Sequence, residues 1–214
     1  MKKLFTLFAL LFVGALGYGI YLSFQSQDLS DISGRHETDR EANPVNIPAL
    51  IEAAAKSRKN ITISERQVNT WIANTLKARQ EGILADHVEI KGIWVRFDEE
   101  EGGRVEIIIE REVKDRAQTV SMFVRVERKK KEDGSFTTYI HKDGGSLWGL
   151  LPVGGKFGQA RVPQGFLFFT QSSFTSLADL FETELNWMEQ DITRRAGGRI
   201  IFEEDQMRID FPRE

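Results

Sequence analysis

The chain contains no cysteine among its 214 residues. A disulfide, a thiolate metal site, a cysteine nucleophile and a lipid thioether near the N-terminus are therefore all excluded. Histidine is scarce as well, because His36, His87 and His141 are the only three and no two of them stand at metal-ligand spacing. We therefore predict no metal and no cofactor.

The chain also lacks an excess of positive charge. Its formal net charge is −3, so there is no global positive field to recruit nucleic acid through counterion release. No G-x-S-x-G nucleophile elbow occurs, and the near match to a phosphate-binding loop from Gly149 to Lys156 has an extra glycine and is followed by Phe157 instead of a hydroxyl. We predict that the chain binds no nucleic acid and is not an enzyme.

One long run without charge stands at the N-terminus, from Leu4 to Phe24. At ~1.5 Å per residue a helix of this length crosses a hydrocarbon core of ~30 Å. Lys2 and Lys3 precede the run, and Asp28 follows it. Because positive charge is retained in the cytoplasm, the remainder of the chain is expected on the extracytoplasmic side of a cytoplasmic membrane of the bacterial type.

A cleaved signal peptide is the alternative, with cleavage at the small residues of Ala15-Leu16-Gly17. An anchor is favoured because the apolar run continues to Phe24, whereas a cleaved run normally covers only ~7–15 residues. The sequence therefore predicts an anchor or signal segment over residues 1–24. Residues 25–47 are polar and predict a flexible linker, and residues 48–214 predict one extracytoplasmic domain.

The pattern within this domain predicts an α+β fold. Pro48 opens a short helix, and the capping box from Ser64 to Gln67 opens a helix over about 65–80. Period-2 patterns then predict an antiparallel meander, with a β-bulge at Gly92 and further strands near 105–109, 120–126 and 136–140. A long helix is expected over about 166–195, followed by a final hairpin over 199–202 and 207–211.

The segment from Ser146 to Phe169 is too apolar for an ordinary loop. Phe166 to Phe169 cover every side of one helical turn, so this turn needs apolar neighbours all round or an apolar ligand on one side. A helix start buried in the core is the alternative to a ligand groove. The residues predicted to line such a groove are Trp148, Leu150, Leu151, Pro152, Phe157, Phe166 and Phe169.

These features resemble the YpmS-like membrane-anchored extracytoplasmic proteins, an uncharacterised family that is similar to tubular lipid-binding (TULIP-like) domains. The resemblance rests on the anchor, the helix start Ile63-Ser64-Glu65-x-x-x-Asn69, the meander, the Gly149-Leu-Leu-Pro152 segment before the predicted long helix, and a last strand. It implies a highly curved sheet wrapped against a long C-terminal helix, with an apolar groove for acyl chains.

The expected function is therefore non-enzymatic binding of a lipid or other apolar ligand in a groove between sheet and helix. The alternative is an envelope structural or assembly protein that uses the apolar segment 146–169 as a docking surface for a partner protein. An apolar cavity open at one edge would favour the lipid binder, and an exposed apolar patch over a filled core would favour docking. An enzyme acting on the cell wall would need polar groups that converge in a cleft.

Overall fold

The computed structural model describes residues 2–76, 87–98, 103–130, 136–142, 146–147, 151–163 and 198–211. Over these ranges the helices are α1 (Lys2–Ser23), α2 (Ile47–Ser57) and α3 (Glu65–Thr75), with a 3-10 helix at Glu37–Asp39. The strands are β1 (Ile61–Ser64), β2 (Val88–Asp98), β3 (Arg104–Val113), β4 (Arg116–Lys130), β5 (Phe136–Lys142), β6 (Ser146–Leu147), β7 (Leu151–Phe157), β8 (Ala160–Pro163), β9 (Arg199–Glu203) and β10 (Gln206–Asp210).

Within the described ranges these strands form two antiparallel sheets. The small sheet has the order β1-β10-β9. The large sheet has the order β2-β3-β4-β7-β6, with β5 joined to β4 and β8 joined to β7. Strand β4 pairs with β7 over residues 120–122 and with β5 over residues 124–130, so the large sheet branches along this strand. The predicted α+β class with antiparallel strands is confirmed, whereas the predicted helix over about 166–195 lies outside the described residues.

Helix α1 carries the apolar N-terminal run. Residues Lys3–Ser23 have a mean hydropathy of 2.0, and none of this span is buried in the structure. Length and composition therefore suit a membrane span, a property that an anchor and a signal segment share. The predicted membrane-targeting segment is found as one continuous helix.

The large sheet has two differently covered faces, because side chains alternate along each strand. Its inner face packs against α2, α3 and the small sheet in the main core. The core residues that are at most 2% exposed are Ile51, Ile63, Ile72, Ile109, Val120 and Ile209. The outer face carries Trp94 and Ile108, which pack in a second apolar cluster with Leu29 and Ile32.

Local signals placed several elements correctly. Ser64 Oγ accepts from Gln67 N at 3.2 Å and Gln67 Oε1 accepts from Ser64 N at 3.1 Å, so the predicted capping box opens α3. The register of β2 against β3 shifts between Ile90 and Gly92, where the bulge was expected. A Cβ at Gly92 would lie 2.6 Å from the Trp94 ring, which explains why the bulge needs glycine.

Residues 25–41, which we call the strap, lie along the outer face of the large sheet. The sequence predicts a flexible linker here, and the structure differs from that expectation. Leu29 and Ile32 are only 6% and 3% exposed. Arg35 donates to both carboxylate oxygens of Glu110, and the Arg40 guanidinium lies 5.6 Å from the Trp94 ring. The polar side chains of the strap thus find their partners on the sheet, which composition alone does not reveal.

Candidate functional site

The structure describes the side chain of one of the seven predicted groove residues. Phe157 ends β7, lies opposite Val120 of β4 and is partly buried against the main core. Leu151 and Pro152 begin β7, and their backbone pairs with β6. The remaining four residues lie outside the described ranges, namely Trp148, Leu150, Phe166 and Phe169. Of the predicted groove residues, Phe157 is therefore the one whose side-chain environment the described residues give.

Part of the apolar segment belongs to the large sheet. Strands β7 and β8 form a hairpin in which Phe157 is opposite Ala160, and β7 also pairs with β4. Gly155 lies so close to the carbonyl of Ser121 that a Cβ there would overlap it. Val153 is 2% exposed. The glycines and apolar residues that excluded an ordinary loop therefore serve strand packing over 151–163.

The turn between β7 and β8 contacts the C-terminal end of α1. Gln159 N donates to Leu22 O at 3.0 Å, and this carbonyl in the last turn of α1 also accepts from Gln25 N at 3.1 Å. Gly158 has a φ of +53°, and a Cβ there would lie 2.7 Å from Ser23 O. Glycine is therefore required both by the backbone angle and by the close approach of α1.

A second contact joins the strap to the same end of β4. Ser26 Oγ donates to Ala117 O at 2.9 Å, and Gln27 N donates to Thr119 Oγ1 at 2.9 Å. We call this part of the large sheet, with the β3–β4 and β7–β8 turns, the α1 end. Phe157 lies at the α1 end, one residue before the turn that contacts the helix.

Arg111 lies on the inner face near the α1 end and is only 7% exposed. Its Nε and Nη2 donate to Oε1 of Gln118, at 3.0 Å and 2.7 Å, and Gln118 is directly opposite on β4. Burial lowers the pKa of Arg111 to about 10. A neighbouring carboxylate would raise this pKa instead. Among the described residues, the partner of this buried cation is thus a neutral amide.

Polar groups also converge on the outer face, around the buried carboxylate of Glu106. Its Oε2 accepts from Arg96 Nη1 at 2.9 Å and from Lys156 Nζ at 3.0 Å, and its Oε1 accepts from Ser121 Oγ. Burial by itself would lower the pKa of Arg96, but the charges of Glu106 and Asp31 and their hydrogen bonds raise this pKa above its ordinary value. Both carboxylate oxygens of Glu106 therefore accept hydrogen bonds from groups within the protein.

Arg96 extends this network to the strap. Its Nη2 donates to Asp28 O at 2.9 Å and to Asp31 Oδ1 at 2.7 Å. Glu106 therefore joins β2, β4 and β7 to one another and, through Arg96, to the strap. Sequence reasoning missed this cluster, because Glu106 stands in an alternating strand pattern where a solvated glutamate looks the same. The arrangement holds the fold together and offers no free acid or base.

The motif that carries the family resemblance has a positioning role. Asn69 of α3 accepts from Val95 N at 2.7 Å and donates to Val95 O at 2.9 Å. Glu65 accepts from Phe97 N and from Ser33 N, each at 2.9 Å. These residues of α3 therefore bind the outer edge of β2 and the strap at once.

Glu65 and Asn69 are 1% and 0% exposed. Burial raises the pKa of Glu65, while the hydrogen bonds from Phe97 and Ser33 lower it in part. A raised pKa marks many catalytic carboxylates. Here, however, both oxygens accept backbone N–H groups, so Glu65 fixes α3 against β2.

Comparisons with known proteins identify no relative of this chain. No protein-family model matches the chain, and neither the search of curated proteins nor that of solved structures finds a match. Over the described ranges, no three His, Cys, Asp or Glu side chains come together as a metal site would require. Among the described residues, the α1 end brings Phe157 and the Arg111–Gln118 pair close to the last turn of α1.

Proposed function

We propose that α1 anchors the chain in a membrane and that its domain binds a lipid or other apolar ligand without catalysing a reaction. The observation that carries the proposal is the contact between Gln159 and Leu22, which joins the last turn of α1 to the turn beside Phe157. Because a strand advances ~3.3 Å per residue, Phe157 lies within about 7 Å of that contact. With α1 in a bilayer, the Phe157 end of the groove faces the membrane surface, and an acyl chain passes between them with little exposure to water.

Retention of α1 is proposed because the apolar run continues to Phe24, whereas a cleaved run normally covers only ~7–15 residues. The last turn of α1 packs on Gly158, and Gln159 Nε2 donates to Ser26 O at 3.2 Å just beyond the helix. Lys2 and Lys3 keep the N-terminus in the cytoplasm, so the domain lies on the extracytoplasmic side.

The second wall of the groove is assigned to residues 166–195 as a long helix against which the sheet curves. Trp148, Leu150, Phe166 and Phe169 then face the ligand from that side, and Leu151, Pro152 and Phe157 face it from β7. This arrangement is the one that the YpmS-like and TULIP-like resemblance implies. At the α1 end the apolar side chain of Phe157 is only partly buried against the main core, which suits contact with an acyl chain.

Two observations favour this function over the alternatives. An exposed docking loop is less well supported, because residues 151–163 are paired within the sheet and Val153 and Ala160 are only 2% and 9% exposed. Enzymatic function is less well supported, because the acid at Glu106 and the acid at Glu65 are both paired within the protein. A partner protein from the envelope remains the competing outcome of the test below.

The test uses the full chain in bilayer discs that contain a phospholipid with a photoactivatable diazirine at the end of one acyl chain. An acyl end that stays in the bilayer labels α1. An acyl end drawn into the groove labels peptides that contain residues 148–169. We expect label in both places, with the domain label lost in Phe157→Glu, which puts a charge at the mouth of the groove.

A second lipid, with the diazirine on the glycerol backbone, is the positional control, since it reports the membrane surface and not the depth of the groove. Label from the chain-end probe that is confined to residues 2–24 would contradict lipid binding. Domain label that persists unchanged in Phe157→Glu would show that the lipid takes another path.

A further inference from the structure

We propose that Arg111 and Gln118 bind the phosphate group of an anionic phospholipid whose acyl chain lies beside Phe157. This inference rests on the proposed lipid binding and specifies the class of lipid. It assigns a polar site at the α1 end of a groove that is otherwise apolar.

The first step is the burial of the Arg111 guanidinium against a neutral partner. Two of its five N–H donors bind the same oxygen of Gln118, and the side chain is 7% exposed. A buried charge without an opposite charge is costly, and the lowered pKa of Arg111 reflects that cost. An anion that binds next to the guanidinium removes the cost.

The second step is the match between arginine and phosphate. A guanidinium presents parallel N–H donors that bind two oxygens of one phosphate, an arrangement stronger than hydrogen bonds between neutral groups. The Gln118 side chain holds the fork of Arg111 in place through its Oε1 and has an amide N–H₂ that donates to a further oxygen. A carboxylate partner for Arg111 would have removed this capacity, and the chain has an amide there.

The third step is the position of this pair relative to Phe157. On the inner face, Ile109, Val120 and Phe157 form one row across β3, β4 and β7, and Arg111 and Gln118 form the next row towards the α1 end. Successive rows lie about 7 Å apart along a strand, and neighbouring strands lie about 4.8 Å apart. One glycerophospholipid therefore reaches both rows, with its phosphate at Arg111 and its chain against Phe157, which is partly exposed whereas Ile109 and Val120 are 0% exposed in the core.

Two exposed cations at the same end of the sheet lie outside the proposed site and provide a comparison with the buried Arg111. Lys114 and Arg116 are exposed at the β3–β4 turn, next to the end of the Arg111 row. Exposed cations attract anionic lipids that stay in the membrane surface. The buried Arg111, in contrast, would bind the phosphate of a lipid that has moved from the membrane into the protein. Mutation of Arg111 and, separately, of Arg116 therefore distinguishes binding at the buried site from attraction by surface charge.

The experiment is native mass spectrometry of the full chain in detergent, with dioleoyl phosphatidylglycerol or dioleoylglycerol as the added lipid. These lipids share their acyl chains and differ in the phosphate. We expect the parent to bind phosphatidylglycerol at least about tenfold more tightly, as hydrogen bonds to a charged group imply. Arg111→Met should lose this preference and retain dioleoylglycerol, and Arg111→Lys, which keeps the charge without the fork, should lose most of it.

Arg116→Met is the matched control, since it removes an exposed arginine from the same end of the sheet and should keep the preference. All variants carry the same α1, so lipid that adheres to the helix cancels in the comparison. An equal loss in Arg116→Met and Arg111→Met would assign the effect to surface charge and overturn the site. The parent comparison needs no variant, so it stands even where Arg111→Met fails to fold.

The remaining outcomes separate this inference from the proposed function. A parent that binds both lipids equally well would overturn the phosphate site and leave acyl-chain binding intact. A parent that binds neither would overturn both. The last measurement uses inorganic phosphate. If the parent binds it as tightly as phosphatidylglycerol and Arg111→Met does not bind it, the site takes free phosphate and the lipid assignment fails.

Discussion

The side-chain amide of Asn69 pairs with the backbone of Val95 as a neighbouring strand would, with its nitrogen donating to the Val95 carbonyl and its oxygen accepting from the Val95 N–H. The same nitrogen also donates to Ser33 O at 2.9 Å. One buried side chain therefore satisfies three backbone groups from two separate segments. An amide is the one uncharged side-chain group that both donates and accepts in this geometry.

Replacement of Asn69 by Asp should destabilise the fold strongly. The new oxygen would face the carbonyls of Val95 and Ser33, both of which now accept a hydrogen bond, and it would add a buried charge. We expect a loss of about 3 kcal/mol in the free energy of unfolding. Denaturant titration of the full chain in detergent, followed by tryptophan fluorescence, measures it. Asn74→Asp is the control, since Asn74 is exposed on the same helix; equal losses in the two variants would contradict the argument.

Glu65 should give the stability curve a recognisable pH dependence. Burial raises the pKa of Glu65 above its ordinary value of 4.5, against a partial lowering by the hydrogen bonds from Phe97 and Ser33. Between 4.5 and the raised pKa the folded chain binds more protons than the unfolded chain. The contribution of Glu65 to stability is therefore full below pH 4.5 and is lost as the pH rises through this window.

Glu65→Gln tests this dependence, because glutamine does not titrate and its N–H₂ would face one of the two backbone N–H groups. We expect the variant to be less stable by about 1 kcal/mol at pH 7. The difference should widen as the pH falls towards 4.5, because only the parent gains stability there. Glu52→Gln, at an exposed position of α2, should follow the parent across the whole range. A constant difference between parent and Glu65→Gln would show that Glu65 keeps its ordinary pKa.

The contact between α1 and the β7–β8 turn should fix the angle between helix and domain. Gly158→Val would place a side chain against the carbonyls at the end of α1, at a φ of +53° that disfavours it. Because the chain has no cysteine, spin labels at Phe8→Cys and Arg161→Cys report one distance. We expect a narrow distribution of this distance in the parent. In Gly158→Val the distribution should be at least about twice as broad, because the domain can then move relative to α1.

Gly19→Val is the control for this comparison, since a Cβ at Gly19 meets nothing within 4 Å and the residue lies in α1 itself. The control should keep the narrow distribution. A broad distribution already in the parent would show that the domain is tethered and not docked.

The carboxylate of Glu106 should be coupled energetically to Lys156. Glu106→Gln replaces a buried carboxylate with a neutral amide beside the partly exposed cations Arg96 and Lys156, which should cost about 3 kcal/mol. Lys156→Met removes one of those cations, so the double variant should lose less than the sum of the two single variants, by at least about 1 kcal/mol. The exposed pair of Lys56 and Glu52 is the control and should show almost no coupling. Additive losses at Glu106 and Lys156 would argue against a shared network.

Local signals in the sequence predicted those parts of the fold that depend on neighbours in the chain. The capping box at Ser64 fixes where α3 begins, and the change of phase at Gly92 fixes the bulge, because both are set within a few residues. The pairing of β1 with β10 was not predicted. Ile61 lies opposite Ile209, far along the chain, and a short apolar segment carries no signal for its partner.

Most of the other features that the sequence did not predict involve buried polar residues. Nothing in the sequence around Glu65, Asn69 and Glu106 indicates that these residues are buried, and the structure buries all three. Their environment is set by the partner that covers them, and sequence patterns report only the residue's own element. The strap was misjudged for the same reason, since Arg35 and Ser26 look solvated until the sheet supplies Glu110 and Ala117.

The hydrogen bonds that α3 makes to β2 also govern how copies of the chain behave when they are crowded. Among the described strands, β2 ends the large sheet, and an end strand with free N–H and C=O groups is a template on which another molecule can add a strand. Asn69 and Glu65 occupy those groups at Val95 and Phe97. Another copy of the protein cannot add a strand at these positions, so the two side chains that fix the helix also protect this part of the edge from edge-to-edge pairing.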